Sequence, residues 1–320
     1  MVMGAGRRDM GEASRVNKAP LFVEDVTKHY GPFTAVDGLS FSVERGEIYG
    51  FLGQNGAGKT TTLRMIMDIV PPSRGRVLVL GNDRPRQVKR RVGYLPEERG
   101  LYRKMRARQA IAYFARLKGV PGGVAKRRAN ELLERFGLGA FAAAKIETLS
   151  KGMAQKVQLL ATIAHEPDLL ILDEPFSGLD PVNQQVLETM ISDLRKEGRT
   201  IIFSTHVMEH AERLCDRFLI LRQGQKVFEG TLAEARQTDR PILMLQTPDD
   251  PLPLLSEPGI EDIVAQDHGR YALIITDEAD RQSILRACIE KNIRVEFFGE
   301  AVPSLHDIFV RLAGSASEVS

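Results

Sequence analysis

The chain has 320 residues and a mass of 35.6 kDa, more than one ordinary compact domain holds and enough for about two. Its 43% hydrophobic and 27% charged residues suit a globular chain with ample core, and 44 Lys+Arg against 42 Asp+Glu leave +2, so the total charge does not mark a nucleic-acid binder. The two cysteines, Cys215 and Cys288, make no disulfide framework and read as buried free thiols in a reducing compartment. The longest apolar run, Ala110 to Ala115, falls far short of the ~18 residues of a membrane span.

Residues 1–19 lack an apolar h-region and read as a disordered lead-in, not a signal peptide. Short apolar segments then alternate with amphipathic ones, the pattern of an α/β fold with a largely parallel sheet. Leu21 to Val26 and Leu39 to Val43 predict an antiparallel opening, and Glu47 to Leu52 a strand that runs into a glycine-rich loop. Leu169 to Leu172 predicts a strand buried on both faces. Asp180-Pro181 supplies an N-cap and a first-turn proline, after which Val186, Leu187, Met190, Ile191 and Leu194 recur at helical spacing up to Gly198. Thr200 to Ser204 is a further strand, and Phe218 to Leu221 with Lys226 to Phe228 form a hairpin about Gln223-Gly224.

The polar stretch 233–240 reads as a linker between a domain at 20–232 and a small α+β domain at 241–314, followed by a polar tail at 315–320. In the small domain the expected elements are strands at Ile242 to Gln246, Ile263 to Gln266 and Tyr271 to Thr276, the last two joined at His268-Gly269. A helix from Glu278 to Glu290, a strand from Arg294 to Phe298 and a helix from Ser304 to Ala313 follow.

Gly53-Gln54-Asn55-Gly56-Ala57-Gly58-Lys59-Thr60 fits G-x-x-x-x-G-K-[ST] between a predicted strand and a predicted helix, which is the context the motif needs. Its glycines let backbone N–H groups converge on phosphate oxygens while the helix N-terminus faces the same charge. Lys59 can reach the β- and γ-phosphates, and the Thr60 hydroxyl can ligate Mg²⁺. Leu169 to Glu174 is a buried strand ending in two acids; alone it reads as a helix cap, but beside a phosphate loop Asp173 suits metal binding and Glu174 suits polarising an attacking water. Leu149-Ser150-Lys151-Gly152-Met153 opens a helix running to about His165, where Ser150 and Gly152 offer either a plain N-cap or a second anion-binding helix end.

GQNGAGKT, LSKGM, LLILDE, SGLD at Ser177 to Asp180 and STHVME around His206, in that order over residues 20–230, resemble the nucleotide-binding subunit of ATP-binding cassette (ABC) transporters. The resemblance implies a P-loop NTPase cassette with an antiparallel β subdomain and a helical subdomain at about 84–150. It implies a head-to-tail dimer, most simply a homodimer, with two ATP molecules between the subunits. Each ATP would lie on the phosphate loop of one chain, Gly53 to Thr60 with Thr61, and on Ser150 and Gly152 of the other. By the same pattern His206 contacts the γ-phosphate and acts with Glu174 and Lys59 in hydrolysis, Asp180 belongs to a loop communicating between the sites, and Tyr30 stacks on adenine over a floor at Val36. Thr60, Asp173 and Glu97 would hold Mg²⁺; the family usually has Gln at position 97, and Gly and Gln where this chain has Lys151 and Met153.

Those departures and the ending Pro303 to Gly314 resemble the branch of export ATPases for sodium ions and drugs. The expectation is an ATPase, peripheral on the cytoplasmic face of the membrane, working with a separate multi-span permease. The alternative is a cassette ATPase acting on ribosomes or nucleic acid; a single phosphate loop and no sustained heptads argue against it, and no nucleic-acid partner is expected. Residues 84–135 hold 16 Lys+Arg against 4 Asp+Glu, an excess of 12 that suits an anionic lipid surface.

Overall fold

The computed structural model describes residues 19–98, 100–237, 241–266, 269–301 and 303–314. The expected lead-in up to residue 18, Arg99, residues 238–240, His268 and the expected tail at 315–320 lie outside them. The chain divides into two compact units at Thr231/Leu232.

The first unit is built on a six-stranded sheet. β1 (Leu21–Tyr30), β2 (Phe33–Val43) and β4 (Arg74–Val79) form a separate antiparallel sheet in the order β2-β1-β4. β3 (Ile48–Leu52), β5 (Val92–Leu95), β6 (Leu169–Asp173), β7 (Thr200–Thr205), β8 (Arg217–Arg222) and β9 (Gln225–Gly230) form the larger one, ordered β5-β6-β7-β3-β8-β9. All its neighbours are parallel except the β8–β9 hairpin. β3, β6 and β7 are buried at every position, the reason their central residues are apolar. The alternation of the pleat divides them between two cores. Ile48, Leu170, Leu172, Ile201 and Phe203 face a cluster shared with helices. Tyr49, Phe51, Leu169, Ile171 and Ile202 face one shared with the antiparallel strands and the first helix.

Helices α1 (Lys59–Ile66), α2 (Pro85–Val88), α3 (Ala107–Leu117), α4 (Gly122–Arg135), α5 (Lys151–Ile163), α6 (Pro181–Lys196) and α7 (Met208–Leu214) complete the unit. α6 starts as its sequence predicts: the Asp180 carboxylate accepts from Asn183 N at 2.9 Å, with Pro181 in the first turn. The hairpin turns at Gln223-Gly224, both at positive φ (49° and 82°), as a two-residue turn requires. β4 and β5 have no counterpart in the sequence reading. β4 begins Arg-Gly-Arg with all three exposed, and β5 is only four residues long and contains Gly93. Gly93 is needed there because a Cβ would sit 2.7 Å from Leu170 Cδ2 and 2.8 Å from Thr162 O.

In the second unit, β11 (Ile260–Ala265), β12 (Arg270–Ile275), β10 (Ile242–Gln246) and β13 (Phe297–Ala301) make an antiparallel sheet in that order. α9 (Arg281–Glu290), capped by Asp280, contributes Ile284, Ala287 and Cys288 to a core with Leu243, Leu245, Leu273 and Ile275. α8 (Leu232–Gln237) packs on α10 (Leu305–Gly314), and Arg236 Nε donates to Pro303 O at 3.1 Å. Two expectations are corrected here. Residues 232–237 are helical, with Ala235 fully buried, because Leu-Ala-Glu-Ala-Arg-Gln consists of helix formers that outweigh its polarity. The last strand lies three residues later than Arg294 to Phe298, since Arg294 N donates to the Asp249 carboxylate at 2.7 Å and pairing starts only beyond Glu296. Of the two thiols expected to be buried, Cys288 is buried and Cys215 half-buried.

Burial leaves one titration legible in the fold. His165, just past α5, is 9% exposed and donates from Nε2 to Val92 O at 3.2 Å. Desolvation, helped by the nearby Lys118 charge, pushes its pKa from 6.5 down to about 4. The unfolded chain therefore takes up this proton at a higher pH than the fold does. Stability is full at neutral pH and is lost as pH falls from 6.5 towards 4, by about 2 kcal/mol between pH 7 and pH 5. Urea midpoints of His165→Gln should fall less over that interval than those of the parent chain; an equal fall would remove His165 from the account.

Candidate functional site

Parallel register brings three strand ends to one edge of the large sheet. Leu52 pairs with Thr205 and Asp173 with Ser204, so Gly53, Glu174 and His206 leave the sheet side by side. Gly53 to Gly58 link β3 to α1 as the motif predicts. Gly53, at φ 153°, lies so close to β8 that a Cβ would meet Leu221 O at 2.5 Å. The loop is gripped further by Gly224, whose N–H donates to Ala57 O at 3.1 Å.

Lys59, 5% exposed, folds back over this loop. Its ammonium donates to Gly53 O at 2.7 Å and to Gln54 O at 3.2 Å, and lies 3.4 Å from Glu174 Oε1. Asp173, 1% exposed, accepts at Oδ1 from Ser204 Oγ at 2.6 Å and from Thr60 Oγ1 at 3.4 Å. Burial raises its pKa, with the Glu174 charge adding to the rise and the Ser204 and Thr60 hydroxyls opposing it. Glu174 sits at φ 46°, a strained value for a residue with a side chain. Its N–H donates to Ser204 Oγ at 2.9 Å, so one serine hydroxyl holds both acids. Glu174 Oε2 accepts from His206 Nδ1 at 3.0 Å, while the buried Oε1 has no hydrogen bond and only the Lys59 ammonium beside it.

A pocket of about 450 Å³ opens over this edge. Of the residues singled out in the sequence, Tyr30, Gln54, Asn55, Gly56, Gly58, Lys59, Thr60, Thr61, Glu97, Glu174 and His206 line it. Asp173 stands behind Thr60. Val36 does not line it: it is fully buried and packs under Gly58, while Phe33 and Ala35 form that part of the wall. Tyr30 is 45% exposed at the end of β1 with Lys28 Nζ 5.2 Å from its ring centroid. Phe33 and Ala35 escaped the sequence reading, being silent as residue types, while Ser177 and Ser204 stood in the quoted SGLD and STHVME motifs without an assigned role.

Ser150 and Gly152 do not reach this pocket. Ser150 N-caps α5, accepting from Met153 N at 3.2 Å, and Gly152 packs against the Asn183 side chain on α6. A second pocket of about 300 Å³ lies beside the Glu97 segment, lined by Tyr94, Pro96, Leu101, Phe114, Gln158 and His165 among others. Two buried acceptors in its wall, Gln158 Oε1 and His165 Nδ1, have no hydrogen-bond partner among the described residues. Among the described residues no group of three or more His, Cys, Asp or Glu is placed to hold a metal ion, so a cation at Thr60 and Asp173 would need phosphate oxygens and water to complete its shell.

Residues 36–177 match the family described as ABC transporter, and residues 230–313 match the C-terminal domain of ATP-binding protein DrrA1-3-like proteins. An uncharacterised ABC transporter ATP-binding protein of Bacillus subtilis, YhaQ, is 40% identical over 299 residues, 93% of this chain and 100% of that protein. The chain belongs to the ABC transporter ATP-binding proteins. The Nod factor export ATP-binding protein I of Burkholderia orbicola is 40% identical over 215 residues, 66% of this chain and 71% of the relative. A solved ATP-binding subunit of an ABC transporter superposes with a TM-score of 0.63 at 34% identity, covering 68% of this chain and 92% of that one. The cassette fold and the appended DrrA-like C-terminal domain are thus those of the family that the five motifs resemble.

Ser204 generates a test of the geometry. Ser204→Ala strands the buried Glu174 N–H and removes one of the two hydroxyls that solvate Asp173. Loss of such a partner costs roughly 1–3 kcal/mol, to be read from the urea midpoint at neutral pH. An unchanged midpoint would show that water replaces the hydroxyl.

Proposed function

We propose that the chain is the ATP-hydrolysing subunit of an export-type ABC transporter, driving a separate membrane-spanning permease by ATP-dependent pairing of two cassettes. The observation that carries the reading is the arrangement of Lys59, Glu174 and His206 at the mouth of the phosphate loop. The export direction is supported by the name of the Burkholderia relative. Among the described residues no helix is long and apolar enough to cross a membrane, in keeping with a peripheral subunit on the cytoplasmic face.

The residues present fit Mg-ATP. Backbone N–H groups of Gly56 to Thr61 and the Lys59 ammonium take the phosphates, and Tyr30 with Phe33 offers aromatic faces to the base. Thr60, Asp173 and, through water, Glu97 supply the oxygens a hard divalent cation prefers. Bound there, magnesium would neutralise charge on the β- and γ-phosphates. Glu174 orients and polarises the attacking water from its Oε1, the buried oxygen without a hydrogen bond. His206, already on Oε2, keeps the carboxylate turned and extends towards the γ-phosphate. Ser150, the cap of α5, and Gly152 in its first turn complete the site of a second copy in this reading, which rests on the family resemblance and is supported by their standing outside their own chain's pocket. The pocket beside Glu97 suits an apolar permease segment bearing a hydrogen-bond donor for Gln158 Oε1 or His165 Nδ1. The C-terminal domain has a regulatory or dimer-stabilising role in this reading.

Glu174→Gln should lower turnover roughly 10²-fold or more while ATP binding persists and ATP-bound dimers accumulate. Steady-state hydrolysis and sedimentation read the two effects, and unchanged turnover would take Glu174 out of the catalytic role. Lys59→Ala should instead abolish tight ATP binding in direct titration.

The basic stretch supports contact with an anionic leaflet. Arg90, Arg103 and Lys104 are exposed and have no ion-pair partner among the described residues, whereas Arg91 pairs with Asp168 at 2.7 Å. Flotation with phosphatidylserine vesicles should show weak binding that fades with salt, at ~1 kcal/mol per basic residue near the surface. Arg90, Arg103 and Lys104 changed together to Glu should weaken it. Equal binding to phosphatidylcholine would defeat the electrostatic account, and preferential capture of RNA would favour the ribosome or nucleic-acid alternative.

A further inference from the structure

The two charged departures from the family pattern, Glu97 and Lys151, have opposite signs and lie on different parts of the cassette. Glu97 lines the nucleotide pocket, exposed and with no ion-pair partner among the described residues. It adds a negative charge to a pocket that already holds Glu174, with Asp173 behind it, and that is read as receiving a triphosphate. Lys59 is the lysine that lines this pocket, and it is engaged with two carbonyls and Glu174. Beyond what one divalent cation shared with the phosphates offsets, a carboxylate in that place opposes binding of the anion unless a further cation arrives.

Lys151 is such a cation with nothing to neutralise it. It is the first residue of α5, exposed, and has neither a hydrogen bond nor an ion pair among the described residues. A positive side chain at a helix N-terminus is opposed by the helix dipole, and the first turn of α5 contains no acid to offset it. Its placement is nonetheless specific. The ammonium lies in the space a Cβ on Gly178 would take. Gly178 stands at φ 65° in the loop between Glu174 and Asp180, directly after the pocket residue Ser177. An alanine there would expel the ammonium from this seat. The side chain is therefore laid across its own chain's Glu174–Asp180 loop, beside the Ser150 and Gly152 surface read above as meeting a second copy.

We infer that Lys151 of one subunit and Glu97 of the other form an ion pair across the ATP-bound dimer, so that each composite site regains the charge balance that Glu97 alone would upset. The inference rests on the shared-site reading and deepens it. Lys151 is a positioning residue in this scheme: it acts through Glu97 and through closure of the interface. Desolvation on closure strengthens the pair, and removing one partner leaves the other charge buried beside the phosphates. The same chemistry makes subunit choice specific, since a cassette with an uncharged residue at position 151 would close poorly on a chain carrying Glu97.

The test uses the full chain in the Glu174→Gln background, with ATP-dependent dimerisation followed by sedimentation at several protein and salt concentrations. Lys151→Gly should weaken the ATP-bound dimer by about tenfold or more. Adding Glu97→Gln to Lys151→Gly should restore it to within about threefold and leave a shallower salt dependence, because an uncharged pair replaces a charged one. Thermal midpoints of all variants are compared, so that a folding defect is seen separately. A Lys151→Gly effect that Glu97→Gln does not relieve, or no Lys151→Gly effect at all, would overturn the pairing. If the Glu174→Gln chain forms no dimer with ATP, the shared-site reading fails, and the pairing falls with it.

Discussion

Two carboxylates and an ammonium held almost dry at one edge of a parallel sheet are the constraint around which the rest of this cassette is arranged. Asp173, Glu174 and Lys59 are each less than a tenth exposed, and charge in such surroundings persists only where partners are fixed in advance. The partners come from three strand ends in register. Ser204 serves both acids, Thr60 faces Asp173, His206 takes one oxygen of Glu174, and the loop carbonyls take Lys59. Each depends on β3, β6 and β7 being adjacent and parallel, and a one-residue slip in any of them would separate the acids from the phosphate loop.

The same constraint explains where strain is kept. Glu174 occupies a left-handed backbone conformation that turns its carboxylate back over Lys59, and Gly53 is pressed against β8 where no side chain fits. Both costs are borne by strands buried on two faces, whose packing overdetermines the local geometry. The phosphates of a bound nucleotide would compete with the Gly53 and Gln54 carbonyls for the same ammonium, so ATP binding and a change in loop contacts belong together.

The helical part of the first unit serves a different need. α3, α4 and α5 share one core with the large sheet, while the exposed Arg90, Arg103 and Lys104, without ion-pair partners among the described residues, lie on the segments before them. Between α3, α5 and β5 lies the pocket with two acceptors that lack partners among the described residues. Among the described residues these acceptors find no donor, and at the start of α5 the cap is satisfied but the Lys151 cation is not.

Local signals determined a good deal. The phosphate loop, the acidic end of β6, the caps of α5 and α6 and the Gln223-Gly224 turn were all legible, because each depends on a few adjacent residues with strict backbone or hydrogen-bonding demands. Elements without such demands escaped. β4 opens on three exposed residues with a glycine among them, β5 is four residues long, and α8 looked like a linker because its helix formers are polar. The tertiary structure alone decided that Phe33 and Ala35, not Val36, wall the pocket, since only pairing of β1 with β2 sets which side chains turn inward. It also decided that Ser204 bridges two acids thirty residues away, and that Lys151 rests on Gly178 and not in its own chain's pocket. Such facts depend on which strands and helices become neighbours, and neighbours distant in the chain leave no mark on the local pattern of residues.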